Sequence, residues 1–144
     1  MADNHILTGK CHCGSVQFRA VLVDGLRTAR RCTCSYCRMR GAIEVSAELS
    51  GLEIDQGKEA LSEYRFNTGA AKHYFCSICG IYTHHQRRSN PNQFGVNAAC
   101  LEGVSPFDFT DIPVMDGVKH PSDGKTSGGG LVGHLLFVPN TSGS

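Results

Sequence analysis

Tryptophan is absent from this chain of 144 residues, and only three methionines and five prolines occur. No apolar run approaches the ~20 residues that a membrane-crossing helix needs, so no helical membrane span is expected. Neither sign of charge is in excess: 14 Lys and Arg face 13 Asp and Glu, a formal net charge of +1. That balance argues against a polyanionic partner or a membrane surface, and neither nucleic acid nor membrane is expected as a partner. No Ser-His-Asp set, phosphate-binding glycine loop or nucleotide fingerprint occurs, and Gly128-Gly129-Gly130 follows no strand-then-helix pattern. Helical periodicity is scarce, and there is neither an internal repeat nor a linker that would divide the chain. Met1-Ala2-Asp3-Asn4-His5 lacks the basic and apolar regions of a secretory signal. A cytoplasmic location, where thiols stay reduced, is therefore expected. Residues 1–144 read as a single domain, with 139–144 as a flexible tail.

What the chain does have is cysteine, in an uneven distribution. Seven of its eight cysteines fall in three clusters: Cys11-His12-Cys13, Cys32-Thr33-Cys34-Ser35-Tyr36-Cys37 and Cys76-Ser77-Ile78-Cys79. Thiols so close in sequence bridge one another poorly, but they converge readily on one tetrahedral ion with Zn–S bonds of about 2.3 Å. Cys76-x-x-Cys79-Gly80 has the form of a zinc knuckle, in which Gly80 supplies a positive φ. It needs a partner that also offers two sulfurs, and Cys11 and Cys13 do, since residues i and i+2 of an extended segment share a side. Cys32, Cys34 and Cys37 then form a local chelate of three. Pairing the knuckle with the middle cluster instead would strand Cys11 and Cys13, and remains the alternative. Two zinc ions per chain are expected, one site closed by four thiolates and one left with an open position.

Outside the clusters the recurrent pattern is alternation, which marks strands. Val16, Phe18, Ala20 and Leu22 would share one strand face; Ile43, Val45 and Ala47 alternate with Glu44, Ser46 and Glu48; Leu131, Gly133, Leu135 and Phe137 repeat the pattern. Phe94–Ala99 is a weaker candidate. Pro106, Pro113 and Pro121 punctuate an irregular stretch from Glu102 to Gly130. The expected fold class is mainly β, with short helical turns at the cysteine clusters.

Three of these motifs carry a family resemblance. Gly9-Lys10-Cys11-His12-Cys13-Gly14-Ser15-Val16, Cys32-Thr33-Cys34-Ser35-Tyr36-Cys37-Arg38 and Phe75-Cys76-Ser77-Ile78-Cys79-Gly80 resemble the signatures of the glutathione-dependent formaldehyde-activating enzyme family, which also includes centromere protein V. Val96–Gly103 and Asp116-Gly117-Val118-Lys119-His120-Pro121 are similar to stretches of its bacterial members. The resemblance implies an Mss4-like β-sheet fold and a structural zinc on Cys11, Cys13, Cys76 and Cys79. It also implies a second, catalytic zinc on Cys32, Cys34 and Cys37 that accepts the thiol of glutathione. The implied activity is that of a carbon–sulfur lyase, joining or cleaving glutathione and a small aldehyde such as formaldehyde.

The open site has its own chemical logic. Three thiolates on Zn²⁺ leave a charge of −1, a poor Lewis acid toward water but a good holder of a fourth thiol as thiolate. Unaided, a thiol of pKa about 8.5 is ionised by only a few per cent at pH 7. Two rivals stand beside this reading: a zinc enzyme of the same scaffold acting on another electrophile without glutathione, and a zinc-stabilised binding module. Cys100 or a histidine could also close the second site; otherwise Cys100 is a small buried hydrophobe. Arg27, Arg30, Arg31, Arg38 and Arg40 flank the middle cluster as a basic rim. Arg38, directly after a ligand, is the candidate for holding a substrate carboxylate, and His120 the histidine candidate for a substrate contact. Ser35 and Tyr36 lie where they could tune a sulfur. His12 should point away from the metal, His73 should be a hydrogen-bonding or surface residue, and His84 and His85 should face opposite sides of a strand.

Overall fold

Strands dominate the chain in a computed structural model that describes residues 6–66, 69–87, 91–118 and 130–140. Seven form one antiparallel sheet: β1 (Ile6–Lys10), β2 (Gln17–Leu22), β4 (Glu44–Gln56), β5 (Leu61–Tyr64), β6 (Lys72–Cys76), β7 (Tyr82–Gln86) and β8 (Gln93–Asn97). Their spatial order is β1-β2-β4-β8-β7-β6-β5. A smaller sheet, ordered β10-β9-β3, joins β3 (Arg31–Cys32), β9 (Asp111–Met115) and β10 (Leu131–Leu136), with β3 running parallel to β9. The mainly β expectation is met.

β2 follows the predicted alternation, with Phe18, Ala20 and Leu22 buried and Gln17, Arg19 and Val21 exposed. They pack with Val45, Ala47, Val96, Ala98, Leu101 and Ile112 as the apolar core. β4 departs from the simple pattern. Val45 and Ala47 enter that core, but Glu44 and Ser46 on the opposite face are buried too, at 4% exposure each. β4 lies inside the sheet and its first four residues are covered on both sides, so the polar side chains there are paired rather than solvated. Arg30 donates to Ser46 Oγ at 3.1 Å, and Arg40 to Glu44 Oε2 at 3.0 Å.

The other two departures lie near the C-terminal end. Pro113 sits within β9, inside the stretch read as irregular. It is tolerated because β3 reaches only Val114 and Met115, leaving Pro113 paired with β10 alone. β10 forms as expected, yet it is largely exposed on both faces. Helix at the cysteine clusters is confined to the middle one, where α1 (Ser35–Arg40) begins at its N-cap Cys34. The first and third clusters are tight turns. Gly14 and Gly80 each adopt φ of 81°, the left-handed region that glycine enters at no steric cost. Of the expected tail, only Pro139 and Asn140 fall within the described residues. No helix among the described residues is long and apolar enough to cross a membrane.

Candidate metal centres

The first cysteine pair leaves the end of β1, and the third closes β6. These connections lie toward opposite ends of the large sheet, so their meeting draws its two ends together. The sulfurs of Cys11, Cys13, Cys76 and Cys79 all lie within 4.8 Å of one another. Cys11 Sγ is 3.7 Å from Cys13 Sγ, which is 3.8 Å from Cys76 Sγ. Tetrahedral geometry with 2.3 Å bonds places sulfurs about 3.8 Å apart, so the set fits a four-thiolate ion. Backbone N–H groups of Val16, Ile78 and Cys79 point at these sulfurs: Val16 N lies 3.3 Å from Cys11 Sγ, and Ile78 N 3.4 Å from Cys76 Sγ. Such donors favour thiolate, and hydrogen bonding to the backbone of Cys13 is the largest influence that lowers Cys79 to about 6.

Cys32, Cys34 and Cys37 make a second group with the same 4.8 Å spacing, and no fourth His, Cys, Asp or Glu joins it among the described residues. β3 presents Cys32, the cap of α1 presents Cys34, and the first turn of the helix brings Cys37 round. Cys34 N donates to Cys32 Sγ at 3.4 Å and Cys37 N to Cys34 Sγ at 3.3 Å. The three thiols share protons unequally. Hydrogen bonds with Cys32 and Cys37 hold Cys34 far below the usual thiol range, while those with Cys32 and then Cys34 push Cys37 well above it. A dication would remove that competition and let all three ionise. Both cysteine clusters can thus hold metal ions.

Gly117 closes one side of the second group. Its N–H donates to Thr33 Oγ1 at 3.0 Å, and Thr33 N donates to Met115 O at 3.1 Å. A Cβ at position 117 would lie 2.3 Å from Cys32 Sγ and 2.8 Å from Cys34 N. Only glycine lets this backbone lie against the sulfurs. The Asp116-Gly117 dipeptide was the visible signal; its contact with the cysteines was not. His120, three residues further on, lies outside the described residues.

Among the flanking arginines, Arg40 touches the sulfurs. Its Nη2 donates to Cys37 Sγ at 3.3 Å and to Glu44 Oε2, and its Nη1 meets His73 Nδ1 at 3.0 Å. The guanidinium lies 3.7 Å from the Tyr82 ring centroid and 4.6 Å from that of Tyr36. Behind it, Tyr82 O–H donates to Glu44 Oε1 at 2.6 Å, and its oxygen lies 2.6 Å from His85 Nδ1. The hydroxyl has one proton, so His85 Nδ1 is the donor in that second bond. Burial holds His73 down to about 3 and keeps His85 well below the usual imidazole range. Arg38 is exposed on α1, and Ser35 is exposed beside it. Arg27 is exposed and pairs with Asp24, while Arg30 bonds Thr28 O and Ser46.

The remaining candidates settle into packing roles. His12 is exposed. His73 is buried, stacked on Phe66 and His85, with Tyr36 edge-on at 4.7 Å. His84 is buried against Tyr74 and Phe94 in the apolar core, while His85 joins the charged layer. Cys100 is buried in the apolar core, its Sγ 3.5 Å from Tyr82 O, and burial pushes its thiol up to about 12. It belongs to neither cysteine group.

The family model for "Glutathione-dependent formaldehyde-activating enzyme" matches residues 6–111, well over half the chain. The chain belongs to this family. A Halomonas elongata protein named "Putative glutathione-dependent formaldehyde-activating enzyme" is 35% identical over 83 residues, covering 51% of this chain and 52% of that protein. The chain thus matches about half the length of that curated relative. A crystal structure of a Rhodobacter sphaeroides protein, solved as a structural genomics target, is 54% identical with a TM-score of 0.75. That match covers 76% of this chain and all of the other. The solved relative shares the β fold described above.

Proposed function

We propose that this protein is a zinc enzyme of the carbon–sulfur lyase type, joining or cleaving a thiol and a small aldehyde at the three-cysteine centre. The observation that carries the reading is the contrast between the two cysteine groups. One offers four sulfurs and the other, among the described residues, three. In this reading Cys11, Cys13, Cys76 and Cys79 hold a structural zinc, and Cys32, Cys34 and Cys37 a catalytic one. A zinc ion on the three thiolates would hold an incoming thiol as its thiolate at neutral pH. The family's name supports glutathione as that thiol and formaldehyde as the aldehyde.

In the net reaction the thiol sulfur bonds to the aldehyde carbon while the carbonyl oxygen takes up the proton the thiol lost. The product is the S-hydroxymethyl adduct; the reverse breaks the same C–S bond and returns the proton to sulfur. The chain's own groups have defined parts. Arg40 neutralises charge beside Cys37 and fixes its sulfur. Thr33 and the Gly117 backbone shield Cys32 and Cys34 on one side. Arg38, exposed on α1, would meet a substrate carboxylate, and His120 is retained as a substrate contact from the motif alone. The whole chain would act as a single cytoplasmic domain.

Metal analysis and a rate measurement test the proposal together. The purified protein is expected to carry two zinc ions, and Cys34→Ser one. Wild type should accelerate equilibration of glutathione and formaldehyde with S-(hydroxymethyl)glutathione, and Cys34→Ser should not. A Cys34→Ser variant that keeps both zincs and full activity would refute the assignment. The alternative is a zinc enzyme of this scaffold acting on another electrophile without glutathione. It would be preferred if the rate test failed while the metal test held.

A further inference from the structure

A cavity of about 920 Å³ opens between α1, β7 and the small sheet, with Arg40 in its lining. None of the seven clustered cysteines lines it. Its size is that of a small-molecule site, which is typically apolar with a few placed polar groups. The walls are apolar, with Ile43, Phe107, Phe109, Ile112, Leu135 and Phe137 prominent among them. No acidic side chain lines it, and the polar atoms of Asn97 are already used by Tyr82 O and Ala99 N.

Two arginines, Arg31 and Arg40, share this lining. Three buried side-chain polar atoms lack a partner among the described residues, and two of them are Arg31 Nε and Arg40 Nε. Arg40 is otherwise occupied by Cys37, Glu44 and His73. Arg31 makes no side-chain hydrogen bond or ion pair among the described residues. Its Nε is buried, so the donors open to the cavity are its terminal N–H groups; a half-buried guanidinium that lines apolar walls, with no carboxylate partner among the described residues, is completed by an anion. Planar guanidinium matches carboxylate best, through two parallel N–H···O bonds.

We propose that this pocket binds a small organic acid, with its apolar body on the phenylalanine-rich wall and its carboxylate on Arg31. The site uses neither cysteine group, so it stands or falls independently of the zinc reading. It also selects against glutathione, whose polar body finds few partners on these walls.

The test is displacement of a fluorescent apolar anion, 1-anilinonaphthalene-8-sulfonate, from the full chain by octanoate and by octanol. Octanoate should displace the probe from one site per chain, at a concentration at least ten-fold below that of octanol, because only the acid can bond the guanidinium. Arg31→Gln should remove that preference while leaving octanol displacement, the circular dichroism spectrum and zinc content unchanged. Equal displacement by acid and alcohol in wild type would overturn the proposal and leave only an apolar surface. Exclusion of the probe from a protein that sediments as a dimer would also overturn it, since a second copy would then cover the pocket. The acid–alcohol comparison needs no variant, so it decides the matter even if Arg31→Gln fails to fold.

Discussion

Arg40 ties the three-cysteine centre to the sheet through one side chain. Its side chain is only 6% exposed, as that of its partner Glu44 is 5%, and its other contacts include a sulfur, an imidazole and two tyrosine rings. Removing one member of a buried pair strands the other, at a cost of about 3–5 kcal/mol. Arg40→Met should therefore destabilise the protein by that amount in urea unfolding, whereas Arg38→Ala on the exposed face should change it by less than about 0.5 kcal/mol. The contact of Arg40 with Cys37 is legible in the spacing: position 40 is three residues beyond Cys37 and so returns to the same side of the helix. Gly117 makes the second prediction at this scale. Gly117→Ala drives a methyl into Cys32 Sγ, so the variant should fold but carry about one zinc fewer per chain than wild type, read by metal analysis. Retention of both zincs would contradict the close approach of this segment to the sulfurs.

At the scale of elements, legibility followed burial. β2 has one buried and one exposed face, so its alternation spoke directly. The first four residues of β4, Glu44–Ala47, are buried on both faces, and alternation cannot separate an apolar interior from a paired polar one. β10 alternates but is mostly exposed, because it is the edge of a three-stranded sheet with little packed on it. β9 was hidden by Pro113, whose missing N–H is harmless only because β3 is two residues long. The cysteine turns were legible because ligand spacing and glycine signal them without help from the rest of the fold. They also bear most weight. The first turn joins β1 to β2 and the third joins β6 to β7, hairpins well separated in the sheet order, so the ion they hold would cross-link the sheet. Zinc binding in small domains is worth on the order of 10–16 kcal/mol, more than many domains' total stability. Cys76→Ser should unfold or aggregate the chain, by circular dichroism and gel filtration, where Cys34→Ser leaves it folded. A native-like Cys76→Ser protein with both zincs would overturn the structural role.

At the scale of the whole molecule, the fold buries two layers of different character, one apolar and one charged, on either side of the same sheet. Imidazoles in both stay neutral. Burial lowers His84 to about 4 against an ordinary value of 6.5. The unfolded chain therefore binds the proton first as pH falls. The stability His84 contributes is complete above about pH 6.5 and is lost progressively toward about pH 4, by up to about 1.4 kcal/mol per pH unit. His84→Phe should flatten the fall in melting temperature between pH 7 and 5 relative to wild type. Comparing the two slopes cancels the effect of metal release, which both proteins share. An unchanged slope would mean that His84 is protonated in the folded state.

The central claim is that the three-cysteine centre holds an outside thiol by its sulfur. Calorimetric titration of the zinc-loaded protein with glutathione, run beside S-methylglutathione, tests it most directly. The two ligands share every carboxylate and amide and differ only in whether sulfur can ionise. The account predicts one glutathione bound per chain and no detectable binding of the methylated form. Equal binding of the two, or no binding of glutathione at millimolar concentration, would contradict it.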